Sequence, residues 1–240
     1  MKKILPILIA SACLSTACAT TTPAPNPALA IQPQAPEAQA GPDQSTDTEQ
    51  AQPQTTPGIS INDVQDFTPH TAWPDMPADH SPVYNINSGT DDAVWVEGKG
   101  YFKGSLDDVY ADLTNVMIIG PNHLTEDIVR DEFVETPNRT TYTMHVKMKY
   151  VLSIKFDLGA IIDALYDGQT RVGLLYHNEK TAGTTFLKMI STTLVIKQLP
   201  DGMFSAEALS LNKATQDKED EARKHIETLF GYWAIQSQSR

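Results

Sequence analysis

The most reactive side chains in this 240-residue chain belong to two cysteines, Cys13 and Cys18, which both lie near its N-terminus. A thiol there can be acylated, oxidised or used as a metal ligand. The rest of the chain has no cysteine, which excludes a disulfide, a thiol nucleophile and a cysteine-ligated zinc site in it. Neither H-E-x-x-H, G-x-S-x-G nor a Walker phosphate loop occurs. We therefore expect no catalytic residue, no metal and no cofactor, and we predict that the protein is not an enzyme.

One group of residues has the side-chain types that a metal ion prefers, namely His70, Asp75, Asp79 and His80. The two histidines are ten residues apart, without the spacing of a helix face or a hairpin that would bring them together. We therefore interpret these four side chains as structural.

The remaining histidines are isolated from one another in the sequence. His145 falls on the polar face of a predicted strand, which indicates a solvated side chain. His123 follows a Gly-Pro pair in a loop, and His177 is interpreted as part of a turn between strands. His225 is expected at the polar edge of the last helix. None of them suggests an acid or a base.

The charge balance narrows the choice of partners. The chain has 18 Lys and Arg against 30 Asp and Glu, a net charge of −12. Binding to nucleic acid requires cationic side chains that displace counterions from phosphates, so we expect no nucleic-acid partner.

The first eighteen residues have the order of an export signal: a cationic start, an apolar core from Ile4 to Leu14, and small residues up to Cys18. This order resembles the signal peptide of bacterial lipoproteins. The resemblance implies that 1–18 is a signal ending at a lipidated Cys18, which would carry a fatty acid such as palmitate. Acylation at Cys13 and ordinary secretion are the alternatives. Ala19 then implies a lipid anchor in the outer membrane of the cell envelope, facing the periplasm.

Residues 19–58 are composed of Thr, Pro, Ala, Gln and acidic residues, with no aromatic residue and no Lys or Arg. Such a segment cannot bury enough apolar surface to offset the entropy of ordering, so we predict a disordered tether. A Pro-rich segment that binds a partner is the alternative.

Residues 59–92 are predicted to form an extended arm that lies against the folded domain. Phe67, Trp73, Met76 and Tyr84 can dock on a surface. Five prolines between Pro57 and Pro82 argue against long regular structure.

The clearest pattern in the chain is a strict alternation of apolar residues that indicates β-structure with one buried face. Its apolar members are Tyr142, Met144, Val146, Met148, Tyr150, Leu152, Ile154, Phe156 and Leu158. A flat strand of that length is too long for a small domain, so the strand must bend or break into two.

Other segments complete a pattern of strands and helices. A glycine-containing strand over 93–102 precedes a helix over 105–115 that Ser105 can cap. Further strands are predicted at 128–135, 171–177, 185–199 and 203–211, and Pro200-Asp201-Gly202 joins the last two. The apolar run within 159–168 is interpreted as a short helix or a loop. A helix over 218–236 ends the chain, with one apolar stripe: Ala222, Ile226, Leu229, Phe230 and Trp233.

This element order resembles the START-like, helix-grip (SRPBCC-type) superfamily over about residues 92–237. The resemblance implies an α+β domain at 93–240, in which a curved antiparallel sheet wraps around a long C-terminal helix. In that superfamily an apolar cavity often lies between the sheet and the helix.

The resemblance also suggests which residues would line such a cavity. They are Tyr142, Met144, Val146, Met148 and Tyr150 on the sheet, with Ile226, Leu229, Phe230 and Trp233 on the helix. Three functions remain open: binding of an apolar small molecule or lipid, an envelope interaction module with a filled core and a protein partner, and a cyclase-like enzyme. Apolar walls and apolar cores use the same residues, so the sequence does not separate them.

Overall fold

The computed structural model describes residues 58–120, 124–149, 153–214 and 219–239. The predicted signal at 1–18, with Cys13 and Cys18, lies outside the described residues, as does the predicted tether at 19–58 except Gly58. Within the described ranges, no helix is long and apolar enough to cross a membrane.

The described residues form one mostly antiparallel sheet, followed at the C-terminal end of the chain by a long helix. Its strands are β1 (Ile59–Ser60), β2 (Val83–Thr90), β3 (Val94–Lys103), β4 (Thr125–Glu135), β5 (Arg139–Lys149), β6 (Ser153–Asp167), β7 (Thr170–Gly183), β8 (Leu187–Gln198) and β9 (Met203–Ala214). The helices are α1 (Leu106–Thr114), α2 (Val116–Ile119) and α3 (Glu219–Ser237). The strand order is β2-β3-β9-β8-β7-β6-β5-β4, and β1 pairs in parallel with the end of β6. The curved sheet and the C-terminal helix confirm the predicted α+β fold class.

The long alternating segment is broken into β5 and β6, which pair as an antiparallel hairpin. Met144 lies opposite Leu158 and Val146 opposite Phe156, so both strands direct their apolar side chains to the same face of the sheet. The alternation therefore continues across the hairpin. Residues 150–152, which include Tyr150, lie outside the described residues.

The interpretation of 159–168 as a short helix or a loop is wrong, because all but its last residue belong to the second half of β6. Ile162, Ala164 and Leu165 are all buried. A strand that is covered on both faces shows a continuous apolar run instead of alternation, and such a run is easily mistaken for a helix.

Residues 83–90 of the predicted arm form β2, a regular strand that pairs with β3. The last proline of this region is Pro82, so nothing after it interrupts the hydrogen-bond ladder. The preceding residues run over the outer face of the sheet, away from α3.

Buried charges hold this covering segment in place. Glu97 and Glu207 are only 2 % and 4 % exposed, although they lie on the outer face of the sheet. Glu207 Oε1 accepts hydrogen bonds from the backbone N–H groups of Phe67 and Thr68, both at 3.2 Å. Glu97 Oε2 accepts one from the N–H of His70 at 3.0 Å. These charge-assisted bonds compensate for the burial of the carboxylates and fix the path of the arm.

The first helix begins where the sequence predicts. Ser105 Oγ accepts from the N–H of Asp108 at 3.2 Å, and Asp108 Oδ2 accepts from the N–H of Ser105 at 2.9 Å. This reciprocal pair of bonds is a capping box, which satisfies two backbone donors at the start of α1. The helix then places Leu113 in the core, where it is fully buried.

The C-terminal half of α3 packs on β3 and β9 through a cluster of aromatic rings. The centroid of Trp233 lies 5.7 Å from Phe102, 5.5 Å from Phe204 and 5.8 Å from Phe230. Trp233 Nε1 donates to Asp112 Oδ2 at 3.1 Å, so the indole N–H is satisfied inside the core. This part of the interior is filled by side chains.

Candidate functional site

A cavity of about 120 Å³ lies under the N-terminal half of α3. A single water occupies about 10–15 Å³ by a comparable measure, so this space is far larger than an ordinary packing defect. Its wall is mostly apolar. The apolar lining consists of Val94, Ile119, Leu124, Val146, Met148, Phe156, Leu158, Leu187, Ile190, Ala214 and Ala222.

Two of the residues predicted to line a cavity, Val146 and Met148, do line it. The other described residues of that prediction lie in the packed interior: Tyr142, Met144, Ile226, Leu229, Phe230 and Trp233. The cavity is thus displaced along α3, toward its N-terminus.

A polar row crosses the floor of the cavity at right angles to the strands. Asn178 on β7 pairs with Thr192 on β8, which pairs with Ser210 on β9. Thr192 Oγ1 and Ser210 Oγ are 3.1 Å apart, and Asn212 Nδ2 donates to Ser210 Oγ at 3.0 Å. The Ser210 hydroxyl therefore bonds both the Thr192 hydroxyl and the Asn212 amide.

The Asn178 amide bonds one of two buried tyrosines. Asn178 Nδ2 donates to the Tyr176 oxygen at 2.7 Å, which leaves Oδ1 as the other end of the amide. Tyr142 donates its hydroxyl proton to the carbonyl of Leu113 at 2.5 Å, because a carbonyl can only accept.

Burial keeps both of these tyrosines protonated. It raises the pKa of Tyr176 to about 12, and it also raises the pKa of Tyr142. Both hydroxyls therefore retain their protons at neutral pH.

Asn178 Oδ1 has no hydrogen-bond partner among the described residues. The side chain is only 3 % exposed and lines the cavity. A buried amide oxygen without a partner costs about 1–3 kcal/mol, so native proteins rarely leave one unpaired. Because Asn178 lines the cavity, a molecule bound there is the candidate donor to this oxygen.

The helical side of the cavity carries Glu221 and His225, one turn apart on α3. His225, predicted at the polar edge of the helix, is partly buried and lines the cavity. Burial among apolar neighbours disfavours the imidazolium and lowers the pKa of His225. The imidazole is therefore neutral at pH 7 and can both donate and accept.

Three of the described histidines outside the cavity have structural partners. His145 is exposed, and its Nδ1 is 2.8 Å from Asp157 Oδ1 on the neighbouring strand. His177 lies within β7, not in a turn as predicted, and bonds Thr193 Oγ1 at 2.9 Å. His70 is held by Glu97, and the described residues contain no cluster suited to a metal ion. His123 lies outside the described residues.

Sequence reasoning did not single out the polar row, although the chain contains a signal for it. The inward positions of β7 run Leu174, Tyr176, Asn178, which puts an amide where the alternation calls for an apolar side chain. Thr192 and Ser210 interrupt the inward faces of their strands in the same way. Only the strand register shows that the three polar residues are neighbours.

No family model and no curated protein matches the sequence. Among solved structures, the chain is similar to human STARD10, with 8% identity over 65% of this chain and 74% of that one and a TM-score of 0.40. It is also similar to the Zhui aromatase/cyclase from Streptomyces sp. R1128, with 18% identity over 63% of this chain and 88% of that one and a TM-score of 0.34. The chemistry of the cavity therefore has to be deduced from its own side chains.

Proposed function

We propose that this protein binds a small, largely apolar molecule in the cavity under α3 and does not act on it chemically. The observation that carries the proposal is the cavity itself, a partly open space with a mostly apolar wall. Protein interiors are packed as densely as organic crystals, and a void of this size leaves its wall without partner atoms. A ligand that fills the void restores those contacts.

The character of the wall favours binding over catalysis. The described residues that line it include two titratable groups, Glu221 and His225, within a mostly apolar surface. The hydroxyls of Thr192 and Ser210 bond one another, so neither is activated by a base. A cyclase-like enzyme would need several polar groups converging on one reacting atom. An interaction module with a filled core is disfavoured by the void.

We also propose that Cys18 anchors the chain to the cell envelope, which the order of residues in 1–18 supports. Metabolic labelling with palmitate should mark the wild type and not Cys18→Ser. Equal labelling of both would rule out this anchor.

The binding proposal is tested by filling the cavity from the helix side. Ala222 lines it, and a leucine there would project into the empty space. We expect Ala222→Leu to weaken the binding of n-octanol and of methyl heptyl ether at least tenfold, measured by isothermal titration calorimetry. Stability should change by less than about 1 kcal/mol, because the added side chain occupies a void and does not displace packed atoms.

The matched control is Ala111→Leu at an exposed position of α1, which should leave binding unchanged. If the folded wild-type protein binds neither of the two neutral ligands, the proposed function is wrong. Unchanged binding by Ala222→Leu would place the ligand elsewhere on the protein.

A further inference from the structure

The unpaired oxygen of Asn178 indicates what kind of ligand group would fit beside it. Asn178 Oδ1 is an acceptor, and the amide is oriented by the hydrogen bond that its Nδ2 donates to the Tyr176 oxygen. A partner at this position must supply a proton, as a hydroxyl or an amide N–H does. An ether or ester oxygen, which only accepts, would leave Oδ1 unpaired.

The charges around the cavity argue against an anionic ligand. The described lining residues include no Lys and no Arg, while Glu221 contributes a carboxylate. A buried carboxylate ligand would lose its hydration without gaining a cationic partner, which is costly. His225 does not change this, because the imidazole is neutral at pH 7.

We propose that the cavity selects a neutral amphiphile, an apolar body with one hydroxyl or amide N–H that donates to Asn178 Oδ1. This inference rests on the proposed binding function and adds the chemical class of the ligand. The apolar wall of Val146, Met148 and Phe156 surrounds the body of the ligand. The polar row then holds its donor at the floor.

The test compares three probes of nearly equal size on the wild-type protein. Methyl heptyl ether has the same number of non-hydrogen atoms as n-octanol but no donor, and octanoate carries a negative charge. We expect n-octanol to bind about three- to tenfold more tightly than the ether, the range of one neutral hydrogen bond. Octanoate should bind at least tenfold more weakly than n-octanol at pH 7.5. In ¹⁵N NMR spectra, n-octanol should shift the side-chain amide signal of Asn178 more than the ether does.

A pair of variants shows whether Asn178 causes the preference. Asn178→Leu keeps the shape of the side chain and removes the acceptor, so it should bind n-octanol and the ether equally. The control is Asn85→Leu, the same change at an exposed position whose amide bonds the carbonyl of Ala72. This control should keep the wild-type ratio of the affinities for n-octanol and the ether. If Asn178→Leu does not fold, the inference is still tested by the ratio of the wild-type affinities for n-octanol and the ether and by the shift of the Asn178 amide signal.

The outcomes separate this inference from the proposed function. Equal wild-type affinity for n-octanol and the ether would overturn the inference and leave apolar binding intact, with Oδ1 satisfied by cavity water. Tighter binding of octanoate would overturn it as well. Absence of binding by all three probes would overturn the proposed function itself.

Discussion

The two halves of α3 cover very different interiors, although they belong to one helix lying on one sheet. Under the C-terminal half, Phe230 and Trp233 pack on Phe102 and Phe204. Under the N-terminal half, Ala222 and its neighbours cover a cavity of about 120 Å³.

Side-chain size along the strands explains the difference. On β9 the inward positions change from Phe204 through Ala206 and Ala208 to Ser210. The large ring meets the large rings of α3, whereas the small and polar residues leave room. One end of the domain thus builds a packed core, and the other end has a cavity and, in Asn178, a buried amide oxygen without a partner among the described residues. The packed core and the proposed binding site are therefore separated along the helix axis.

The largest effect on stability is expected from truncating a ring in the filled half, the aromatic cluster under the C-terminal half of α3. Phe230→Ala should lower the free energy of unfolding by about 3–5 kcal/mol, because it removes packed atoms and opens a new cavity. The matched change is Phe156→Ala in the hollow half, the region of the cavity under the N-terminal half of α3. Phe156 is buried but lines the existing cavity. Its cost should be close to the transfer free energy of the ring, about 1.5–3 kcal/mol. Urea denaturation measures both, and equal losses would contradict the comparison.

A smaller effect should come from adding one methyl group to the filled half. In Gly98→Ala the new Cβ would lie 2.9 Å from Phe230 Cε2 and 3.1 Å from Ile226 Cγ2. Both neighbours are fully buried, so we expect overpacking to cost about 1–3 kcal/mol. The control is Gly159→Ala, whose Cβ meets only the methyl group of the exposed Thr181, at 3.1 Å. That variant should be neutral or slightly stabilising, because alanine restricts the unfolded chain more than glycine does. A neutral Gly98→Ala would show that the filled half has spare room.

The local features of the fold could be predicted because neighbouring residues determine them. The alternation through Val146 and Phe156 indicates a strand whatever lies opposite, and Ser105 caps its helix with groups three residues away. The element order then limits the ways in which one sheet and one helix can pack.

The position of the cavity could not be predicted, because it depends on how side chains from distant segments fill a common space. Tyr142 and Val146 have the same pattern in the sequence, yet only Val146 lines the void. The polar row depends on strand register, which brings residues of three strands together. Register is fixed by the whole sheet and not by any single segment.

The smallest effect should come from His225, a histidine of the hollow half whose protonation is disfavoured. Burial lowers its pKa below the ordinary value of 6.5, so the unfolded chain binds the proton more readily than the folded one. By linkage, stability should then fall as the pH drops below about 6.5. Glu221, one turn away on the cavity wall, favours the imidazolium and limits the effect. His225→Gln should flatten this part of the stability profile, measured by urea denaturation from pH 5 to 8.

An exposed histidine provides the control with the opposite sign. The hydrogen bond that the imidazolium donates to Asp157 raises the pKa of His145, so its contribution to stability is complete below about pH 6.5 and is lost as the pH rises through the higher folded-state pKa. His145→Gln should therefore remove a decline at the alkaline end of the range and leave the acidic end unchanged. If both variants changed the same end of the profile, His225 would not titrate as a buried group, and the cavity wall around it would be more hydrated than its apolar lining implies.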